Sequence, residues 1–113
     1  MLPHDRVRIK HMIDASKEIM DFIEGVDLEE FISDRKLHLS VIQLIEIIGE
    51  ASNNLSDGFV GASEGIPWTD IIGMRNRMIH AYHDIDLKVV WTTARYEVPD
   101  LYGKLIERYG NEL

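Results

Sequence analysis

A small all-α bundle is what this sequence predicts, and three observations carry the prediction. Apolar residues recur at steps of three and four through most of the chain, which is the period of one helical face. No stretch shows the alternation of a strand, and there is no internal repeat or low-complexity tract. Helix punctuation separates the periodic stretches at Gly25, Asp27, Pro67 and Asp86. With 113 residues there is room for one core, so residues 1–113 read as a single domain.

The first helix is predicted over residues 4–24. Ile9, Met12, Ile13, Ser16, Ile19, Met20 and Ile23 form its stripe, and Gly25 stops it. Asp27-Leu28-Glu29-Glu30 is a capping-box pattern that starts a short second helix holding Phe31 and Ile32. Residues 34–55 form the third helix. Leu37, Val41, Leu44, Ile45, Ile48, Ser52 and Leu55 make its main stripe, and Leu39, Ile42 and Ile47 widen it. A helix this apolar sits at the centre of a bundle. Its polar stripe is Gln43, Glu46, Glu50 and Asn53 or Asn54.

Three glycines and several small polar residues make 56–66 a flexible connector or lid. The Lys-Ser/Thr of a P-loop is absent there. Pro67 suits the first position of a fourth helix that runs to about Tyr82. Asp86 caps the fifth. There Leu87, Val90, Trp91, Ala94, Val98, Leu101, Tyr102, Leu105, Ile106 and Tyr109 keep one face across Pro99, so a kink or two nearly coaxial helices is expected.

Composition narrows the function classes. Hydrophobic residues are 45% and charged residues 28%, which argues against disorder. Without cysteine there is no disulfide, thiolate metal site or thiol nucleophile. The apolar runs are too short to span a bilayer and the N-terminus lacks a signal-peptide layout, so a cytoplasmic protein without a membrane partner is expected. The net charge of −8 counts against a broad nucleic-acid-binding face. It leaves room for a local one. Residues 75–83 hold two arginines and two histidines and no acid except at the border, Asp84.

That stretch, Met74-Arg75-Asn76-Arg77-Met78-Ile79-His80-Ala81-Tyr82, organises the functional reading. On a continuous helix Ile71, Met74, Met78, Ile79 and Tyr82 share an apolar arc with Arg75 inside it. Asn76, His80 and His83 form a second stripe. A guanidinium in an apolar arc needs a partner or a wet cleft. A histidine beside it can move a proton near neutral pH. Phosphodiester binding and cleavage fit this pair.

Each residue also has a plain structural role open to it. Arg75 could form a salt bridge, most simply with Glu50, and His80 could cap a helix end. Asn76 could bond within the bundle or orient His80, and Arg77 could be solvated or touch an RNA backbone. Tyr82 could pack with its hydroxyl at the rim. Glu46 reads as a solvated acid, while Glu50 could instead support the site. His4, His11 and His38 lack partners at ligand spacing and read as surface residues, so no metal site and no cofactor is expected.

Arg75, four residues, His80, one residue, Tyr82 resembles the signature of HEPN-domain ribonucleases, and more narrowly of HepT-type toxins. Ile48-Gly49-Glu50-Ala51, Ile66-Pro67-Trp68, Gly73-Met74-Arg75-Asn76, the 86–91 segment and Val98-Pro99-Asp100-Leu101 extend the resemblance in the same order. It implies a HEPN-like bundle acting as a homodimer with its cleft at the interface. It implies a metal-independent endoribonuclease, with Arg75 and His80 catalytic, that leaves 2′,3′-cyclic phosphate and 5′-OH ends on tRNA or mRNA. It further implies the toxin of a type VII-like toxin–antitoxin pair, silenced when an MntA-like nucleotidyltransferase antitoxin transfers AMP to Tyr82. Two other readings stand beside this one. The first is a non-catalytic helical module that docks a nucleotidyltransferase and contacts nucleotide or RNA. The second is a plain bundle in which Arg75 and His80 only hold helices together. Trp68, Met74, Met78 and the fifth-helix face are expected to exceed what one small bundle buries, which also points to a homodimer.

Overall fold

The computed structural model describes residues 1–63, 65–81 and 84–113, with the side chains of 79–81 left aside. The bundle is helical as expected. Its long helices are α1 (Pro3–Ile23) and α3 (Arg35–Asn53). Helix α1 starts on Pro3, whose fixed φ suits the first turn, and ends before Gly25, which takes φ +73°. Short α2 (Leu28–Ser33) is capped by Asp27, whose carboxylate accepts the Glu30 N–H at 2.9 Å. Asp34 does the same for α3 through the Leu37 N–H at 3.1 Å.

Helix α3 lies at the centre and packs against α1, α2, the two short helices at residues 68–78 and α7 (Leu87–Thr92). Val41, Ile45 and Ile48 have no exposed surface, and neither do Ile9, Met12 and Ile19 of α1 facing them. Each such side chain is worth about 1.5–3 kcal/mol in burial, so this seam is the main source of stability.

The chain departs from expectation in several places. Residues 56–66 are not all connector: Asp57–Ala62 form α4. Ser56 caps it, and Phe59 packs on Trp68 at 6.1 Å and on Tyr109 at 5.3 Å between ring centroids. Aromatic contact outweighs the cost of the glycines.

The helix expected from Pro67 to Tyr82 is divided. Helix α5 (Trp68–Ile72) closes at Gly73, and α6 (Met74–Met78) follows. From Met78 the backbone leaves the helix as strand β1 (Ile79–Ala81), paired antiparallel with β2 (Asp84–Ile85). The Asp86 N–H reaches the Met78 carbonyl at 2.8 Å and closes the base of this loop. Asp86 must also cap α7, where it accepts the Lys88 and Val89 N–H groups. A chain that has to return to Met78 by residue 86 has no length for another helical turn. Tyr82 lies outside the described residues.

The fifth helix is broken just before Pro99, in line with the expected kink or pair of helices. After α7, Thr93–Glu97 form a π turn in which the Val98 N–H bonds to the Thr93 carbonyl, and α8 (Val98–Tyr109) continues. Proline has no N–H and its ring crowds the carbonyl four residues back. The wider turn makes room for it. Val90, Ala94, Val98, Leu101, Leu105 and Tyr109 remain on the buried face.

His38 is a further departure. It is buried, with Nδ1 3.0 Å from the Phe31 carbonyl, and it holds α2 to α3 rather than facing solvent. The surplus apolar surface expected on Trp68, Met74 and Met78 is absorbed within one chain: they are 7%, 3% and 0% exposed. Among the described residues no helix is long and apolar enough to cross a membrane.

One buried carboxylate ties α1 to α4. Asp5 is 1% exposed and accepts both the Ser56 N–H at 2.8 Å and its hydroxyl at 2.7 Å. Burial alone would push its pKa up, but the Ser56 bonds, with His4 and the N-terminal amine, outweigh it and hold the pKa below 3.8. A depressed carboxylate contributes stability that is present above its unfolded pKa and is lost as pH falls through the folded value. Asp5→Ala is therefore expected to cost about 1–3 kcal/mol at neutral pH. Urea melts should show the mutant and wild type converging as the pH is lowered through the folded-state pKa of Asp5, and a constant gap would contradict the assignment.

Candidate functional site

Helices α1, α3, α5 and α6 enclose a cleft of about 480 Å³. That is room for a nucleotide-sized group, within the usual span of ligand sites. Helix α3 contributes its polar stripe, Gln43, Glu46, Glu50 and Asn53, because that stripe is the one side of α3 not packed on another helix. Helix α6 contributes Arg75 and Asn76. Ile47 and Ile72 add apolar edges, 37% and 39% exposed.

Arg75 is exposed and stands outside the apolar arc. The reason is the break at Gly73, which resets the helical phase between Ile71 and Met74. The two residues stay buried, and Arg75 turns to the cleft. Its Nε lies 3.4 Å from Glu46 Oε1. The carboxylate beside Arg75 is thus Glu46, and not Glu50, which takes the Asn54 side-chain N–H at 3.2 Å. Both acids share one stripe of α3, and the height at which α6 crosses it selects the earlier. The Arg75–Glu46 pair is largely in water and contributes at most about 1 kcal/mol. A phosphate can displace such a partner, since guanidinium binds both oxyanions in the same two-pronged way.

Arg77 is exposed, as one reading of the sequence allowed, but it does not line the cleft. Its Nη1 donates to Glu97 at 2.9 Å and its Nη2 to the Asp70 carbonyl at 3.2 Å, tying α5 and α6 to the π turn. Asn76 lines the cleft, but the helical stripe meant to join it to His80 ends at Met78. His80 sits on β1, two residues beyond α6. Glu50 lines the same cleft as Arg75 without pairing with it. Tyr82, the expected modification site, falls outside the described residues. Among the described residues no group of three or more His, Asp or Glu side chains converges as metal ligands would.

Two lining residues of α1 stand outside the site expected from sequence: Arg8, and His11, which was expected to be a surface residue. Their spacing of three puts them on one face. That spacing was the available signal, but a polar face of an outer helix ordinarily belongs to solvent.

The profile of the family described as Ribonuclease HepT-like matches residues 12–107. A protein of Thermococcus cleftensis named probable ribonuclease HepT is 36% identical over 96 residues, covering 85% of this chain and 87% of that one. One from Caldanaerobacter subterraneus subsp. tengcongensis, whose name gives RNase as a provisional activity, is 31% identical over 102 residues, 90% of this chain and 91% of that one. One from Methanocaldococcus jannaschii with the same provisional name is 36% identical over 84 residues, 74% of this chain and 72% of that one. No solved structure matches the chain.

Proposed function

Because the chain belongs to the Ribonuclease HepT-like family, we propose that it is a metal-independent endoribonuclease and the toxin of a toxin–antitoxin pair. The observation that carries this reading is Arg75, exposed in a nucleotide-sized cleft and held, among the described residues, only by a displaceable carboxylate.

The chemistry needs a proton carrier and a cation. The 2′-OH of RNA attacks the adjacent phosphorus as a base takes its proton. The P–O5′ bond breaks, the leaving 5′-oxygen is protonated, and the products are a 2′,3′-cyclic phosphate and a 5′-OH. In this reading His80 carries the proton and Arg75 holds the phosphate oxygens as charge builds on them. Asn76 and Glu50 line the approach to them, and Arg77 fixes α6 against the π turn so that Arg75 is held in place. One Arg and one His make a sparse site, and a homodimer with two-fold symmetry would bring a second pair to a shared cleft. The substrate is RNA, and the partner is a nucleotidyltransferase antitoxin that transfers AMP to Tyr82. AMP there would add a phosphodiester and a purine, the same chemistry as the substrate.

Two measurements test this together. Purified protein is expected to cut RNA in EDTA with cyclic phosphate ends, and cleavage that stops in EDTA would overturn metal independence. When co-expressed with the nucleotidyltransferase, the toxin should carry adenylyl on Tyr82. The phenol is not the proton carrier, so Tyr82→Phe should stay toxic and escape silencing. Adenylyl found only on another residue would refute the regulatory assignment.

A further inference from the structure

Arg8 is half-buried in the wall of the cleft, yet among the described residues it makes no hydrogen bond or ion pair. Several other cations of this acidic chain are tied. Arg6 donates to the Leu113 carbonyl, Lys17 to Asp21 and Arg77 to Glu97, and Lys104 pairs with Asp100. A guanidinium withdrawn from water without an anion is unfavourable, and it is tolerated where a ligand supplies the anion. His11, one turn on, adds an imidazole N–H to the same wall, available in either charge state. Across the cleft stands Arg75, with exposed Ile47 and Ile72 between as apolar surface on which a base can lie.

We propose that Arg8, with His11, is a positioning residue that binds the RNA phosphate next to the one held by Arg75. The nucleotide between the two phosphates then lies against Ile47 and Ile72. This rests on the ribonuclease reading and extends it to α1, which carries none of the signature residues. The two walls differ in kind. Arg75 already shares charge with Glu46 and must exchange it for phosphate, whereas Arg8 has no partner among the described residues to give up. Arg8 therefore captures the strand, and Arg75 engages the scissile group.

The test uses full-length protein, a cleavable RNA and a short fluorescein-labelled 2′-O-methyl oligoribonucleotide, which lacks a free attacking 2′-hydroxyl. Arg8→Gln is expected to weaken oligonucleotide binding about tenfold and to lower the slope of log affinity against log salt by about 0.7, the share of one phosphate contact on a single strand. KM for cleavage should rise by a similar factor while kcat stays within about twofold, the pattern of lost uniform binding. Arg8→Lys should recover most of the salt slope. Wild-type affinity and slope for Arg8→Gln, in a protein whose wild type cuts RNA, would overturn this inference and leave the nuclease standing. A fall in kcat at constant KM would overturn the positioning role by placing Arg8 among the reacting atoms. A wild type that neither binds nor cuts RNA would overturn both readings.

Discussion

His80→Ala is expected to leave the protein folded and to abolish RNA cleavage. The cleavage proposed here depends on moving a proton from the 2′-OH and delivering one to the leaving oxygen. A positioned acid or base supplies about 10²–10⁴ of rate in such steps. His80 stands on β1, past the end of α6. Arg75→Ala should lose a comparable factor, about 10²–10³, because it removes charge from the developing oxyanion. It should keep its thermal midpoint, since the pair it breaks is exposed. Wild-type-like cleavage by a well-folded His80→Ala protein would falsify the assigned role. Unfolding of Arg75→Ala would instead recover the reading in which Arg75 only holds helices together.

Phe31→Ala should produce the largest loss of stability. Phe31 has no exposed surface and is the side chain through which short α2 joins the core. Its ring lies 5.2 Å from the Trp91 ring and 6.1 Å from the His38 ring. Truncation removes these contacts and leaves a cavity, at a cost of about 3–5 kcal/mol. A domain of this kind holds about 5–15 kcal/mol in all. The urea midpoint should fall sharply with an unchanged m-value. A loss below about 1 kcal/mol would mean that α2 can close over the gap.

Much of the fold could be read from apolar spacing because α1, α3 and α8 each bury a stripe of regular period. What escaped reading was decided by contacts between elements. The run from Met74 to Tyr82 keeps a helical rhythm, yet Asp86 must bond to Met78 and cap α7 at once, and that requirement ends the helix early. Glycines at 58 and 61 suggest a connector, but Phe59 finds Trp68 and Tyr109 and holds a helical turn. At the site, Arg75 and Asn76 were legible as residue types in an unusual place. Which acid meets Arg75 was not, since Glu46 and Glu50 are equivalent on a helical wheel. Arg8 and His11 were hidden for a related reason: a polar face gives no sign of whether water or a cleft lies beyond it.

The π turn bears on which insertions and deletions the chain tolerates. Along Val90, Ala94 and Val98, then Leu101, Leu105 and Tyr109, each step of four overshoots a full α-turn by about 40°. Left uncorrected, the drift would carry the end of α8 off the core. The wide turn at 93–97 holds one residue more than an α-turn and takes the drift back, like a leap day in a calendar. Losing one residue there would straighten the helix and swing Leu101, Leu105 and Tyr109 by about 100° toward solvent. The irregular turn is therefore the part of this helix whose length is least free to change.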